Sequence, residues 1–280
     1  MGISQSRFKQ AGAANSEGVA GLLRTYPRTR PPLPEAHERI YLDEYRRNRG
    51  ASGGALFRVT ATLESWRHRK IARLQTGGRL LEIGAGTLNH LQYEPAIPYD
   101  IVEPLPALYQ GSTEIDRVAR VYADIADIPD HVRYQRIISV AVLEHVEHLP
   151  DVVARSGLLL DRNGVFQAGI PAEGGMLWGL AWRSTTGIAY RLRTGLPYAP
   201  VMHHEHVNTA EEIIAIVRYL FRSVTVSWFP LPSRHLSFYC YIEARDPYTD
   251  RCTRLCGTTA AAAGTVESHA HRAREIEAVA

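Results

Sequence analysis

The chain carries its most informative sequence between residues 79 and 91, which read Arg79-Leu80-Leu81-Glu82-Ile83-Gly84-Ala85-Gly86-Thr87-Leu88-Asn89-His90-Leu91. A short apolar run ends in a turn with two glycines, and a helical pattern follows. Ligands of open α/β sheets bind beyond the carboxyl ends of the strands, and glycine lets the backbone approach such a ligand closely. We therefore predict that this run is the first strand of a nucleotide-type binding sheet.

Two carboxylates narrow the choice of ligand. Glu82 precedes the first glycine, where it would repel a pyrophosphate and attract a cation. Glu103 ends a second apolar stretch, Tyr99 to Val102, and a carboxylate there can accept hydrogen bonds from both hydroxyls of a ribose. A Rossmann dinucleotide site is the competing interpretation, but Gly84-x-Gly86-x-x-Asn89 lacks the third glycine of that fingerprint.

The segment resembles motif I of class I S-adenosylmethionine-dependent methyltransferases, Asp/Glu-x-Gly-x-Gly-x-Gly, with Leu88 at the third glycine position. Asp124-Ile125 resembles the acidic–apolar pair that meets the adenine in that family. Glu144-His145 resembles the segment after strand four in many small-molecule methyltransferases, including the ubiquinone and O-antigen types. The resemblance implies S-adenosyl-L-methionine as the cofactor. It implies binding through Glu82, Gly84, Ala85, Gly86, Glu103, Asp124, Ile125 and Glu144.

The order of the apolar segments predicts the sheet. Residues 136–143 form a nearly continuous apolar run, as expected of a central parallel strand covered on both faces, and residues 165–171 follow as strand five. Two further strands lie close together at 223–229 and 236–244. The resemblance, which covers about residues 79–244, implies an α/β, Rossmann-like class I methyltransferase fold. Its seven-stranded sheet is mostly parallel, with an antiparallel last strand and an N-terminal helical cap.

Shifts in amino-acid composition along the sequence predict four segments. Residues 1–30 are predicted to be a mobile arm, 31–76 a helical cap, 77–246 the cofactor-binding domain and 247–280 a tail. Within the domain, residues 173–200 form an insertion rich in tryptophan and leucine, with arginines at its end. Such an insertion serves as a lid over a substrate pocket or as a contact with a membrane surface through 174–195, and the sequence leaves both readings open.

The predicted reaction is direct displacement of a methyl group, which depends on orientation of the nucleophile and, for a hydroxyl, on a general base. His145 and His206 are the candidate catalytic residues, because a neutral imidazole is available near pH 7. A metal site of His203, His204 and His206 is considered and not predicted. The candidate acceptor-binding residues are Tyr41, Tyr45, Trp66, His203 and Asn208.

The acceptor is predicted to be a small molecule. The insertion and the histidine cluster resemble uncharacterised methyltransferases found with surface-polysaccharide genes, which suggests a sugar hydroxyl or amine. The alternatives are an NAD-type oxidoreductase and a module that binds S-adenosylmethionine without turnover.

Composition bears on partners and location. The net charge of +3 gives no reason to expect nucleic acid as a partner. The odd set Cys240, Cys252 and Cys256 favours reduced thiols. No apolar run is long enough to span a bilayer, no signal peptide is expected, and the N-terminal match to a myristoylation pattern is discounted. The predicted location is cytoplasmic, and the oligomeric state is not predicted.

Overall fold

A seven-stranded sheet with helices on both faces forms the centre of the computed structural model, which describes residues 18–41 and 65–263. The strand order is β3-β2-β1-β4-β5-β7-β6. Strands β1 to β5 pair in parallel, whereas β7 runs antiparallel to both of its neighbours. The strands are β1 Leu80–Ile83, β2 Tyr99–Val102, β3 Val118–Tyr122, β4 Tyr134–Val140, β5 Leu160–Pro171, β6 Phe221–Pro230 and β7 Ser237–Pro247. The predicted fold class is confirmed.

Ten helices lie in the described ranges, three of them before the sheet. These are α1 at 18–23, α2 at 35–41 and α3 at 65–72. The others are α4 Pro106–Tyr109, α5 Leu149–Leu159, α6 Met176–Ser184, α7 Thr186–Thr194, α8 Ala199–Glu205, α9 Ala210–Leu220 and α10 Thr249–Ala263. Helix α9 begins at a reciprocal capping box formed by Thr209 and Glu212.

Strand β1 is buried on both faces, which fixes the glycine turn in space. On one face Leu81 and Ile83 join the core formed with α5 and α9. On the other face Leu80 packs with Ile138 of β4 and with Ile71 of α3. Successive side chains of a strand point to opposite faces, so β1, which is apolar except for Glu82, needs cover on both sides. The N-terminal helix α3 provides part of that cover.

The connection after β1 differs from the predicted helix. Residues 86–90 form turns, followed by a single 3₁₀ turn at Leu91–Tyr93. Leu88 adopts φ +63°, a left-handed conformation that ends a right-handed helical path. Its side chain is buried, so packing holds the strained backbone in place. Leu88 therefore keeps the backbone conformation that glycine adopts easily.

The predicted C-terminal tail begins with a packed helix. Helix α10 lies against α5, and the side chain of Cys252 is fully buried. A Cβ added at Gly157 of α5 would lie 3.0 Å from the Cys252 sulfur, which shows how closely the two helices approach. All three cysteines are free thiols. None of the helices in the described ranges is long and apolar enough to cross a membrane.

Candidate active site

A cavity of about 710 Å³ opens at the carboxyl ends of strands β1 to β4. Its walls come from the glycine turn after β1 and from the loops that follow β2, β3 and β4. Seven of the eight predicted cofactor residues line it: Glu82, Gly84, Ala85, Gly86, Glu103, Asp124 and Ile125. The eighth, Glu144, is buried behind the loop after β4. The parallel arrangement brings these residues together because parallel strands present their carboxyl ends at one edge.

The glycine turn is shaped by left-handed backbone at both glycines. Gly84 has φ +68° and Gly86 has φ +51°. A Cβ at Gly84 would lie 2.5 Å from two methyl carbons of Val142, so the loop after β4 closes directly over this position. A Cβ at Gly86 would meet nothing within 4 Å. Gly86 therefore presents bare backbone to open space, where a ligand can approach.

Glu103 connects the glycine turn to the loop after β2. The N–H of Gly86 donates to Glu103 Oε2 (2.8 Å), and the N–H of Leu105 donates to Glu103 Oε1 (3.1 Å). Each carboxylate oxygen can accept a second hydrogen bond. The two backbone amides thus hold the carboxylate in place, and its remaining acceptor capacity is available to a diol in the cavity.

Asp124 and Ile125 mark the far end of the cavity, in the turn after β3. One carboxylate oxygen of Asp124 accepts from the N–H of Ala126 at 2.8 Å, as part of a capping box with Asp127. The side chain is exposed and lies at the cavity wall, whereas Ile125 is buried. The carboxylate therefore has a local structural role and still offers acceptor capacity to a ligand.

Glu82 is almost completely buried, and its Oε2 accepts a 2.6 Å hydrogen bond from the Tyr99 hydroxyl. Burial raises the pKa of Glu82 to about 7, although His90 and the Tyr99 hydrogen bond act in the opposite direction. Removing a carboxylate from water disfavours its charged form. The cavity floor therefore holds a carboxyl group whose charge a cationic ligand would stabilise.

A buried chain of ionisable groups connects the sheet to the cavity. Arg136 forms a bidentate pair with Glu94, with distances of 2.7 and 2.9 Å. Glu94 Oε1 lies 2.9 Å from His90 Nε2, and His90 Nδ1 lies 3.0 Å from His68 Nδ1 on helix α3. Burial, together with the charges of His90 and Arg67, lowers the pKa of His68 to about 3.

This chain determines which nitrogen of His68 carries its proton. In the neutral form of His90, Nε2–H donates to Glu94 and Nδ1 is an acceptor. The low pKa of His68 keeps it neutral at pH 7; beside this neutral form of His90, the His68 Nδ1–H donates to that acceptor and its Nε2 is left with a lone pair. Because His68 lines the cavity, Nε2 provides a hydrogen-bond acceptor there.

His145 occupies the 3₁₀ turn Leu143–His145 directly after β4 and lines the cavity. Its Nδ1 lies 2.8 Å from the backbone carbonyl oxygen of Glu205. A carbonyl only accepts hydrogen bonds, so Nδ1 must carry the proton and Nε2 is the basic nitrogen. Nε2 lies 3.9 Å from Glu144 Oε1. The contact from helix α8 thus fixes the tautomer needed for proton abstraction.

His206 lies beside His145, with the two rings edge to face and their centroids 4.8 Å apart. Its Nδ1 is hydrogen-bonded to Glu173 Oε2. Burial lowers the pKa of His206, but the Glu173 hydrogen bond and the charges of Glu173, Glu144 and Glu205 outweigh burial and raise it overall. A raised pKa favours the protonated form, which cannot accept a proton. The raised pKa argues against His206 as the base.

Glu144 is fully buried beneath these histidines. Its backbone carbonyl accepts from the N–H groups of Val207 and Asn208, and its side-chain Oε2 has no hydrogen-bond partner among the described residues. Burial raises the pKa of Glu144, with the charges of His206 and Arg67 acting in the opposite direction. The structure thus places Glu144 under the His145–His206 pair, rather than against the glycine turn.

The predicted acceptor-binding residues lie in different surroundings in the structure. Tyr41 donates to Glu205 Oε1, and the Trp66 ring stacks on Phe229 with centroids 4.7 Å apart. Tyr45 lies outside the described residues. His203 is exposed on α8, which is helical as far as residue 205.

Asn208 differs most from its prediction as an acceptor-binding residue. Its amide nitrogen donates to the carbonyls of Leu143 (2.8 Å) and Val146 (2.7 Å), and its oxygen accepts from the Tyr26 hydroxyl (2.6 Å). The side chain is 1% exposed. Asn208 therefore connects the loop after β4 to the N-terminal segment, which is a structural role, and its contact with the acceptor stays a prediction.

The sequence analysis did not identify every polar residue of the cavity; those it missed include Arg30, Arg67, His68, His90 and Glu205. Three of them, Arg30, Arg67 and His68, come from the segment before β1, where no motif distinguishes them. The basic run at residues 67–70 was the available signal, and such a run is equally typical of a solvated helix face. No group of three or more histidine, cysteine or acidic side chains in the described part of the chain is arranged to hold a metal ion.

Comparisons with known proteins agree on the fold. No protein-family model matches the chain, and no curated protein sequence matches it. Among solved structures, the plantazolicin methyltransferase BpumL, crystallised with S-adenosylhomocysteine and a monoazolic desmethylPZN analogue, superposes with a TM-score of 0.51 at 11% identity. The match covers 83% of this chain and 99% of BpumL.

Two further structures match at lower TM-scores. A Thermotoga maritima methyltransferase, described as a possible histamine N-methyltransferase, gives 0.48 at 17% identity over 75% of this chain and 97% of its own. The N-methyltransferase NodS from Bradyrhizobium japonicum gives 0.45 at 16% identity over 66% and 97%. The superposition on BpumL, together with the strand order, shows that this chain has the Rossmann-like fold of a methyltransferase.

Proposed function

We propose that this chain is an S-adenosyl-L-methionine-dependent methyltransferase that acts on a hydroxyl or amine of a small molecule. Fold alone does not establish an activity, so the proposal depends on the residues of the cavity. The observation that carries it is the convergence of Glu82, Gly86, Glu103 and Asp124 on one cavity at the carboxyl edge of the sheet. Three acidic side chains around a glycine turn suit a cationic adenosyl ligand.

The polar groups and the free space of the cavity suit this cofactor. Glu103 is held by two backbone amides with acceptor capacity left for the ribose hydroxyls, and Gly86 leaves space at the turn. Glu82 provides a carboxylate near the cofactor's positive charges. A dinucleotide pyrophosphate would lie against that same carboxylate, which disfavours the oxidoreductase alternative. The bound cofactor would supply a methyl group on a sulfonium, and its departure leaves a neutral thioether.

The residues after β4 and β5 would serve the acceptor. His145 Nε2 is the basic nitrogen by virtue of the Glu205 carbonyl contact. It would take the proton from an acceptor hydroxyl as that oxygen attacks, or from an acceptor ammonium before the neutral amine attacks. His206, held by Glu173, would balance the charge of the buried carboxyls rather than act as the base. The enzyme must also orient the acceptor, and helices α6 to α8 carry side chains that border this region.

The decisive experiment measures cofactor binding and turnover separately. Calorimetry with purified protein should show S-adenosylmethionine binding, and NAD should not compete. Labelled cofactor with a panel of nucleotide sugars, phenols and amines identifies the acceptor. In His145→Ala we expect turnover to fall by about 10² to 10⁴ with little change in cofactor affinity.

His148→Ala is the matched control. His148 is the N-terminal cap residue of α5, three residues beyond His145, and it does not line the cavity. Its removal should leave turnover within about twofold, as expected for a surface side chain. NAD binding without S-adenosylmethionine binding would refute the proposal. Cofactor binding without turnover on any acceptor of the panel would favour the non-catalytic module.

A further inference from the structure

The hairpin of helices α6 and α7 exposes apolar side chains on its outer face. Met176 and Leu180 of α6 are 75% and 65% exposed, and Ile188 and Leu192 of α7 are 52% and 83% exposed. Within each helix the two residues are four apart and share one face. We call these four residues the hairpin surface. The inner faces are apolar as well, since Trp182 and Tyr190 are buried.

A helix that covers a soluble protein normally turns polar residues outward, so the hairpin surface needs an explanation. All but one of the large apolar side chains that are exposed in the described ranges lie here or in the adjoining loop, where Leu231 and Leu236 are 49% and 51% exposed. Helix α6 contacts the turn that contains Leu236. The exposed side chains thus form one cluster on one side of the molecule, as at an interaction site.

Within the hairpin segment the charged side chains have a single sign. Between residues 174 and 204 the sequence contains no aspartate or glutamate, whereas it contains Arg183, Arg191 and Arg193. All three arginines are exposed. The neighbouring helix α2 adds the exposed Glu38 and Glu35, of which Glu35 is paired within its own helix to Arg39. Beside the adjoining loop, Glu211 is paired with Arg234. An outward apolar face with a basic margin is the pattern of helices that lie in the interface of an anionic bilayer.

From these observations we propose that the hairpin surface docks on an anionic membrane surface, with the four apolar side chains inserted at the level of the headgroups and the arginines facing lipid phosphates. The association is peripheral, since no helix of the described residues could span the bilayer. A second copy of this chain is the competing occupant. Its matching surface would carry the same arginines, and like charges would face one another across the interface.

Docking here would orient the candidate active site. On the same helix as Met176 and Leu180, the Trp178 ring stacks with His206 at 6.4 Å between centroids. His206 in turn contacts His145 edge to face. The helix that would contact the membrane with one face therefore borders the acceptor side of the cavity with another, so the active site would lie close to the bilayer.

Vesicle flotation with the full chain tests this proposal. We compare vesicles of pure phosphatidylcholine with vesicles of equal parts phosphatidylcholine and phosphatidylglycerol. Wild type should float with the anionic vesicles only, and added salt should release it. Leu180→Glu with Leu192→Glu should weaken the partition coefficient at least about tenfold, because each leucine loses apolar burial. Arg191→Gln should weaken it about fivefold, because one basic residue is lost.

Val121→Glu is the matched control. Val121 is the remaining exposed large apolar residue among the described residues, and it lies on β3, at the edge of the sheet opposite to β6. It should float as wild type does. All substituted residues are exposed, and circular dichroism verifies folding. Equal flotation of the hairpin variants and wild type would overturn the proposal, as would failure of wild type to float. A dimer in sedimentation velocity that the leucine substitutions dissociate, without vesicle binding, would assign the surface to a second copy instead.

Discussion

Ionisation of the buried Glu82 side chain should lower the stability of the fold above neutral pH, whereas the same charge should favour cofactor binding. The variant Glu82→Gln tests both effects. The carboxyl is 2% exposed, and burial raises its pKa from 4.5 to about 7. Between these values the folded state holds a proton that the unfolded state has lost, so stability falls as pH rises through this window. At about 1.4 kcal/mol per pH unit, ionisation of Glu82 costs the fold about 3 kcal/mol above pH 7.

Glutamine keeps the shape of the side chain and can still accept the Tyr99 hydrogen bond, but it carries no charge. Urea unfolding at pH 8 should therefore show Glu82→Gln to be more stable than wild type by up to about 3 kcal/mol. The advantage should shrink towards zero near pH 4.5, where Glu82 is protonated in both states. Calorimetry should show weaker S-adenosylmethionine binding for the variant, because the charge that attracts the sulfonium and ammonium is lost.

Glu94→Gln provides the control of opposite sign. Hydrogen bonds from His90 and Arg136, with their charges, outweigh burial and lower the pKa of Glu94. Its stabilising contribution is present above its unfolded pKa and is lost as the pH falls through the folded value. The glutamine variant leaves Arg136 buried without its counterion and should lose about 3 to 5 kcal/mol. If Glu82→Gln is no more stable than wild type at pH 8, the account of Glu82 as a destabilising buried charge is wrong.

Three further predictions concern the glycine turn and the histidines. Gly84→Ala and Gly86→Ala each place a side chain on left-handed backbone, at a cost of about 1 kcal/mol. Gly84→Ala should lower the free energy of unfolding by about 1 to 3 kcal/mol more, because its Cβ would lie 2.5 Å from the valine after β4. Gly86→Ala meets no neighbour and should mainly weaken cofactor binding, and equal stability losses would contradict this difference. His68→Leu removes a hydrogen-bond acceptor from the cavity and should weaken cofactor binding about tenfold, as measured by calorimetry. His68→Gln keeps a hydrogen-bond acceptor there and should bind the cofactor more tightly than His68→Leu. The Glu173 carboxylate raises the pKa of His206, so this pKa should fall in Glu173→Gln. A histidine titration followed by nuclear magnetic resonance measures it, and an unchanged pKa would show that Glu173 does not raise it.

The sequence by itself determined the sheet and the cofactor side of the site. Strand β1 is buried on both faces and is followed by the glycine turn, so its apolar run could be recognised without knowing its neighbours. Glu103 and Asp124 follow strands directly, and parallel strands bring such positions to one edge. Local pattern and general topology were sufficient for this part because each residue lies at a fixed place relative to its own strand.

The acceptor side depended on tertiary structure. His68, Arg67 and Arg30 precede β1, and their place in the cavity follows from how the N-terminal helices pack on the sheet. The proton position on His145 is set by a carbonyl sixty residues away in sequence. The role of Asn208 is likewise set by partners in two distant segments. Contacts between segments far apart in the chain leave no periodicity or spacing in the sequence, because they arise from packing of whole elements rather than from local backbone preference.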